Sequence, residues 1–225
     1  DFRDREAFQE ADFAAMFRPL AKWAARIDAV ERIPEYIARA WQVATTGRKG
    51  PVVLALPEDM LSATADVSDS RPVLAGEAHP DPADLVRLRE RLARARKPFV
   101  LLGGSGWSAQ ACADLRRFVE ANDLPCGCAF RFQDLLDNTH PNYVGDVGIG
   151  INPALRKRVA EADLLLVIGA RLGEMTTGGY TLFQAPVPSQ ALIHVHGGAE
   201  ELGRVYHAAL PINSGMARFV EALAQ

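Results

Sequence analysis

Only three cysteines occur in the 225 residues, Cys112, Cys126 and Cys128. Neither their number nor their spacing makes a disulfide framework or a Cys-x-x-Cys zinc or redox site, so a reducing, cytoplasmic setting is expected. No apolar run approaches the roughly 20 residues that a membrane helix needs, and no secretory leader opens the chain, so no membrane partner is expected. Strong charge of one sign is missing as well. Twenty-five Lys and Arg against 28 Asp and Glu leave a formal net charge of -3, which gives no electrostatic reason to expect nucleic acid. The nucleophile elbow Gly-x-Ser-x-Gly is absent, because Trp107 stands where the last glycine after Ser105 would be. No initiator methionine precedes Asp1, and the charged opening "DFRDRE" reads as a cut inside a longer polypeptide.

What is present suits a globular chain. Hydrophobic residues make up 48% and charged residues 24%, enough for one real core or for one domain plus a piece of another. Residues 1 to about 30 read as loop and short helix with scattered aromatics. "ERIPEYIARAWQVATTGRKG" places Ile33, Ile37, Ala40, Trp41 and Ala44 at helical spacing, with Gly47 as the C-cap. "PVVLALP" reads as a short buried strand. Residues 63–81 are small, polar and proline-bearing, as a linker is. The expected division is therefore 1–62, a linker over 63–81, and a domain over 82–225.

In that second domain helical and apolar segments alternate. The strands read as "PFVLLGG", "LPCGCAF", "DLLLVIGA", "ALIHVH" and "AALPIN"; the helices between and around them include one capped by Asn152 with Pro153 at its first position, and a last one capped by Ser214. Continuous apolar strands separated by helices imply a parallel sheet covered on both faces, a doubly wound α/β domain preceded by the tail of a second α/β domain.

Several stretches carry candidate chemistry. Gly104-Ser105-Gly106-Trp107-Ser108-Ala109 spells G-x-G-x-x-A between a strand and a helix, where free N–H groups favour a phosphate. The acid that would hold a ribose is not at the end of the second strand, and a plain tight turn, which any doubly wound sheet needs, is the favoured reading. "YVGDVGIGINP" reads as a flexible loop, with Asp146 a loop residue and not a magnesium ligand. "IGARLGEMTTGGYTL" follows a strand, where ligands bind in open α/β sheets; Arg171 suits a phosphate or carboxylate, Glu174 or Thr176 suits sugar hydroxyls, and an Arg–Glu surface pair is the plainer reading. His194 and His196 share one face of a strand without further converging ligands, so they read as structural or site-lining histidines. Phe8 and Gln9, in the irregular "REAFQE", form an aromatic–amide pair of the kind that loops present for function.

The order of these landmarks resembles a thiamine-diphosphate-dependent enzyme of the acetolactate synthase group. "REAFQEADFAAMFRPLAKW" and "IPEYIARAWQVATTGRKGPVVLALPEDM" resemble the end of that family's N-terminal, pyrimidine-binding domain. "KPFVLLGGSG", "ADLLLVIGARLGE" and "LIHVHGGAEELGRVY" resemble its Rossmann-like central domain, so nearly the whole chain is covered. The resemblance implies a transferase or lyase that forms or cleaves a carbon–carbon bond of a 2-oxo acid, working as a homodimer or homotetramer. It implies that Phe8 and Gln9 lie on a loop reaching the thiazolium site of a neighbouring subunit, Gln9 bonding substrate. Lys22 matches a lysine of the family's "TK" turn and is expected with Phe8 and Gln9 at the catalytic site. Arg48 matches an arginine that contacts FAD in flavin-bearing members, and Gly103, Gly104, Gly169, Ala170 and Arg171 match the FAD loops of the central domain; in relatives without flavin the resemblance implies another adenine nucleotide there, such as ADP, or a domain that only holds the dimer together. Two departures stand out. The flavin-bearing "H-x-D-x-D" is His194-Val195-His196-Gly197-Gly198 here, and a lysine near the flavin is Glu58. The family's activating glutamate is expected upstream of Asp1, and the Gly-Asp-Gly…Asn motif for magnesium and diphosphate beyond Gln225, so the metal ligands lie outside this chain and it is expected to be inactive alone. A non-catalytic nucleotide-binding or dimer-scaffolding module, with Phe8, Phe13 and Phe17 as its exposed aromatics, is the alternative.

Overall fold

The computed structural model describes residues 2–224. The chain divides into two compact units, Asp1–Gly76 and Glu77–Gln225.

The first unit carries helix α1 (Phe13–Phe17), strand β1 (Trp23–Arg26), helix α2 (Ile33–Thr45), strand β2 (Val52–Ala55) and helix α3 (Glu58–Ser62). Strand β1 is a finding the sequence pattern does not announce: it pairs in parallel with β2, Trp23 opposite Val52 and Arg26 opposite Ala55. Helix α2 ends where expected, although the capping residue is Thr46 and Gly47 follows it in the left-handed region at φ 62°. Strand β2 is half-buried, not buried as its apolar run suggests, because a two-stranded sheet with one long helix cannot cover both of its faces.

The second unit is a six-stranded, all-parallel sheet. Its elements in chain order are α4 (Pro82–Arg94), β3 (Pro98–Leu102), α5 (Ala109–Ala121), β4 (Cys126–Ala129), β5 (Tyr143–Val147), α6 (Pro153–Ala160), β6 (Leu164–Ile168), the short α7 (Glu174–Thr177), β7 (Ala191–His196), β8 (Leu210–Asn213) and α8 (Met216–Leu223). The strand order β5-β4-β3-β6-β7-β8 reverses direction between β3 and β6, the doubly wound arrangement. Strands β3 and β6 are apolar throughout because both faces are covered. One face packs Val100, Leu166, Leu115 and Phe219; the other packs Phe99, Leu101, Val159 and Phe183. At the amino end of these strands the Asp163 carboxylate accepts from the backbone N–H groups of Arg96 (2.7 Å) and Lys97 (2.9 Å), which sets the start of β3 against that of β6.

Helix starts follow their capping chemistry. Asp81 caps α4 through the Ala83 N–H, Ser108 caps α5 through Ala111, and Asn152 caps α6 through Ala154. Helix α8 differs from expectation, since Gly215 is its N-cap and the Ser214 hydroxyl bonds the Ala78 carbonyl instead. The stretch "YVGDVGIGINP" also differs. Its first half is the edge strand β5, so Asp146 is a strand residue paired with Cys128 and not part of a loop. Among the described residues, no helix is long and apolar enough to cross a membrane.

Candidate functional site

Two places concentrate the chemistry expected from the sequence, one in each unit. In the first, the chain from Asp4 to Gln9 is held in an unusual backbone. Asp4, Glu6 and Gln9 have φ values of 63°, 54° and 60°, a left-handed conformation that non-glycine residues adopt only when other contacts compensate, as at functional sites. The compensation comes from Glu10. Its carboxylate accepts from the N–H groups of Asp4 (2.7 Å) and Ala7 (3.1 Å), and these bonds hold its pKa below the usual carboxylate range. The loop so formed presents Phe8 to solvent, 93% exposed. Gln9 lines a cleft of about 580 Å³ with Arg3, Glu10, Arg26, Asp28 and Leu56, among others.

That cleft lies at the carboxyl ends of β1 and β2, where parallel sheets place their ligands. Arg26 is the last residue of β1. Its Nε lies 2.7 Å from an Asp28 carboxylate oxygen that also accepts from Arg3 at 3.1 Å. Arg26 and Asp28 carry no motif and were not singled out by the sequence. Lys22 sits at the opposite end of β1, where its ammonium donates to the Thr46 carbonyl at 2.7 Å and ties the strand to the end of α2. Arg48 is exposed in the turn that follows α2.

In the second unit the structure gathers Gly103, Gly104, Gly169, Ala170 and Arg171 at the carboxyl ends of β3 and β6. The glycines have a steric reason. Gly104 and Gly169 both have positive φ, 73° and 76°. A side chain on Gly104 would run into the Gly169 carbonyl, and one on Gly169 into the Gly103 carbonyl. Two backbones meet here with no room for a methyl group. The Trp107 indole N–H closes the turn by donating to the Gly103 carbonyl at 2.9 Å.

Arg171 does pair with a glutamate, but the partner is the remote Glu201 and not the neighbouring Glu174. The Arg171 Nε donates to Glu201 at 3.0 Å, and Arg204 donates to the other carboxylate oxygen at 3.2 Å. The Glu201 side chain is only 4% exposed, so this is a buried carboxylate clasped by two cations at the rim of the sheet. Beside it, with His194 and Tyr206 in the lining, is a small cavity of about 100 Å³. Glu174 is exposed and Thr176 buried, so the two residues offered for sugar hydroxyls face different environments.

The paired histidines are both buried. His194 Nε2 lies 3.0 Å from the Ala170 carbonyl, and burial pushes its pKa down to about 4, so the ring is neutral at pH 7. His196 turns back onto Gly198, accepting its N–H through Nδ1 at 3.0 Å. No group of three or more His, Cys, Asp or Glu that could hold a metal occurs among the described residues. Burial raises the pKa of the Cys112, Cys126 and Cys128 thiols, the last to about 12, which disfavours the nucleophilic thiolate.

A flavin nucleotide can be tested against this rim. The resemblance puts phosphates at Arg171 and acids at the end of the β7 strand; here the Arg171 Nε already bonds Glu201, and the strand ends in a self-bonded imidazole and two glycines where those acids would be. The residues present do not fit the group.

Comparison with known proteins bears on the family and the fold. The family model described as thiamine pyrophosphate enzyme, central domain, matches residues 85–223. The acetolactate synthase isozyme 2 large subunit of Escherichia coli is 29% identical over 224 residues, covering 100% of this chain and 40% of that protein. A probable acetolactate synthase large subunit of Methanocaldococcus jannaschii is 29% identical over 218 residues, covering 92% and 36%. Benzoylformate decarboxylase from Polynucleobacter necessarius shares the fold, with a TM-score of 0.76 at 22% identity over 94% of this chain and 39% of that one. The chain thus spans about two-fifths of the length of the relatives it matches. With a six-stranded doubly wound domain on the page and the family model covering it nearly end to end, the chain belongs to the thiamine pyrophosphate enzymes and carries their central domain.

Proposed function

We propose that the protein to which this chain belongs is a thiamine-diphosphate-dependent enzyme that makes or breaks a carbon–carbon bond of a 2-oxo acid, in the manner of an acetolactate synthase. The observation that carries this reading is similarity to an acetolactate synthase large subunit along the whole chain, both units included. That continuity favours a catalytic parent over a free-standing nucleotide-binding or scaffolding module.

When bound, thiamine diphosphate supplies an electron sink for the carbanion left by a departing carboxylate. On this reading the residues that hold that cofactor and magnesium lie in the rest of the complete enzyme, assembled as a homo-oligomer. The contribution of this chain is positional. Glu10 holds the Asp4–Gln9 turn in its high-energy backbone, so that Phe8 stands in solvent while Gln9 lines the cleft at the ends of β1 and β2. An exposed aromatic excludes water from whatever it closes upon, and an amide offers N–H donors and a carbonyl acceptor to a 2-oxo acid. Lys22 fastens the far end of β1 and acts through the fold, not on substrate. The central domain serves as the rigid support.

The test is turnover. The full-length protein with thiamine diphosphate and magnesium is expected to release carbon dioxide from pyruvate or another 2-oxo acid, and residues 1–225 alone are expected to release none. Gln9→Ala in the full-length protein should lower kcat/KM by about tenfold or more, the worth of one lost charge-assisted or transition-state hydrogen bond. Absence of thiamine diphosphate binding and of decarboxylation with every 2-oxo acid tried contradicts the proposal.

A further inference from the structure

The carboxyl-end rim of the second unit is built of features that attract anions. Backbone N–H groups open α5 and α8 there, β3 and β6 end in glycine turns, and Arg171, Arg204 and Arg218 stand nearby. In a doubly wound sheet this is where a nucleotide is held. Two carboxylates of the chain occupy that rim.

Glu201 is the first. It reaches the rim from the segment after β7, is almost wholly buried, and takes one hydrogen bond from each of Arg171 and Arg204. A nucleotide phosphate brought to Arg171 would have to compete with this buried carboxylate for the Nε donor it already holds. Glu77 is the second. Its carboxylate pairs with Arg218 at 3.1 Å, and its side chain lies so close over Gly215, the N-cap of α8, that a methyl group on that glycine would collide with it. The next residue completes the closure, the Ala78 carbonyl accepting from the Gly215 N–H at 2.9 Å and from the Ser214 hydroxyl at 3.3 Å. The end of β7 offers no acid for an adenosine ribose, since His196 bonds to Gly198.

We infer that Glu201 and Glu77 are the resident anions of this rim, and that the central domain takes its own carboxylates where flavin-bearing relatives take a nucleotide. The rim is then a stabilising charge cluster and the enzyme carries no FAD or ADP.

The test uses the full-length protein purified without added nucleotide. Acid denaturation followed by chromatography is expected to release neither flavin nor adenine nucleotide, and millimolar FAD or ADP is expected to leave the melting temperature unchanged. Glu201→Ala, which removes the buried acceptor shared by Arg171 and Arg204, is expected to lower the melting temperature by several degrees, with part of that loss recovered in inorganic phosphate; the parent protein gains nothing from phosphate. Should Glu201→Ala fail to fold, Glu77→Ala at the half-exposed pair keeps the phosphate comparison available. Stoichiometric flavin or ADP in the purified protein overturns the inference, as does a saturable nucleotide-induced shift that Arg171→Gln abolishes. Either outcome leaves the turnover of a 2-oxo acid standing, so this inference and the proposed function fail separately.

Discussion

The two units are built from the same kind of parallel βα material and differ in how much of it they can hide. In the second unit, strands β3 and β6 are covered on both faces, and the large side chains of Phe99, Leu166 and Phe219 are fully buried. In the first, only Ala24 and Ile27 are buried among the described residues, while Ile37 and Trp41 lie on the exposed side of α2. Parallel strands are stable when layers cover both faces. One unit has its layers, and we propose that the other receives them from the rest of an α/β domain of the complete enzyme. The covered unit hides its apolar faces, and the open unit presents the exposed Phe8.

The comparison can be broken most severely at a glycine. Gly104→Val forces a β-branched residue into positive φ and drives it against the Gly169 carbonyl. It should cost more than about 3 kcal/mol and leave the second unit unfolded by circular dichroism. Gly50→Ala in the first unit meets only the flexible methylenes of Lys22 at 3.2 Å and should cost less than about 1 kcal/mol. Equal losses would erase the contrast.

Aromatic truncation sharpens it. Phe219→Ala, in the core between α8 and the sheet, should cost about 3–5 kcal/mol in denaturant unfolding. Trp41→Ala should fall within about 0.5 kcal/mol in residues 1–225, since the ring is 61% exposed. In the full-length protein the Trp41 cost should rise into the range of a core residue, if α2 is covered there.

A smaller effect follows from pH. His194 is buried neutral, with its pKa lowered to about 4 by desolvation. Above its ordinary value near 6.5 both folded and unfolded chains carry the neutral ring and nothing is lost. As pH falls from about 6.5 toward 4 the unfolded chain takes up a proton that the folded one refuses, so stability drops by about 3 kcal/mol. The His194→Gln variant should lose that part of the pH dependence in thermal unfolding curves.

Much of the second unit was legible because its signals are local. Continuous apolar runs such as "LLLVI" mark sheet strands covered on both sides, and Asp81, Ser108 and Asn152 each cap a helix two or three residues away. What escaped depends on remote partners. Strand β1, "WAAR", has no alternation of its own and exists because Val52–Ala55 pairs with it. Strand β5 is broken in pattern by Gly145 at φ 122° and by Asp146, and a register shift between Cys126 and Gly127 lets it pair. The partner of Arg171 is thirty residues along the chain, which no spacing rule reaches. Ser214 looks like a helix cap and is drawn off by a carbonyl more than a hundred residues earlier. Of the candidate site, the Phe8–Gln9 loop was legible as an aromatic–amide pair out of place, whereas Arg26 and Asp28 became visible only as the end of a strand.

Hydrogen exchange followed by mass spectrometry, on residues 1–225 and on the full-length protein side by side, tests the contrast between the units most directly. Amides of β3, β6 and β7 should be slow to exchange in both, while those of β1 and β2 should exchange rapidly in the shorter chain and become protected in the longer one. Protection of β1 and β2 that is already complete in residues 1–225, and no greater in the full-length protein, would contradict the account.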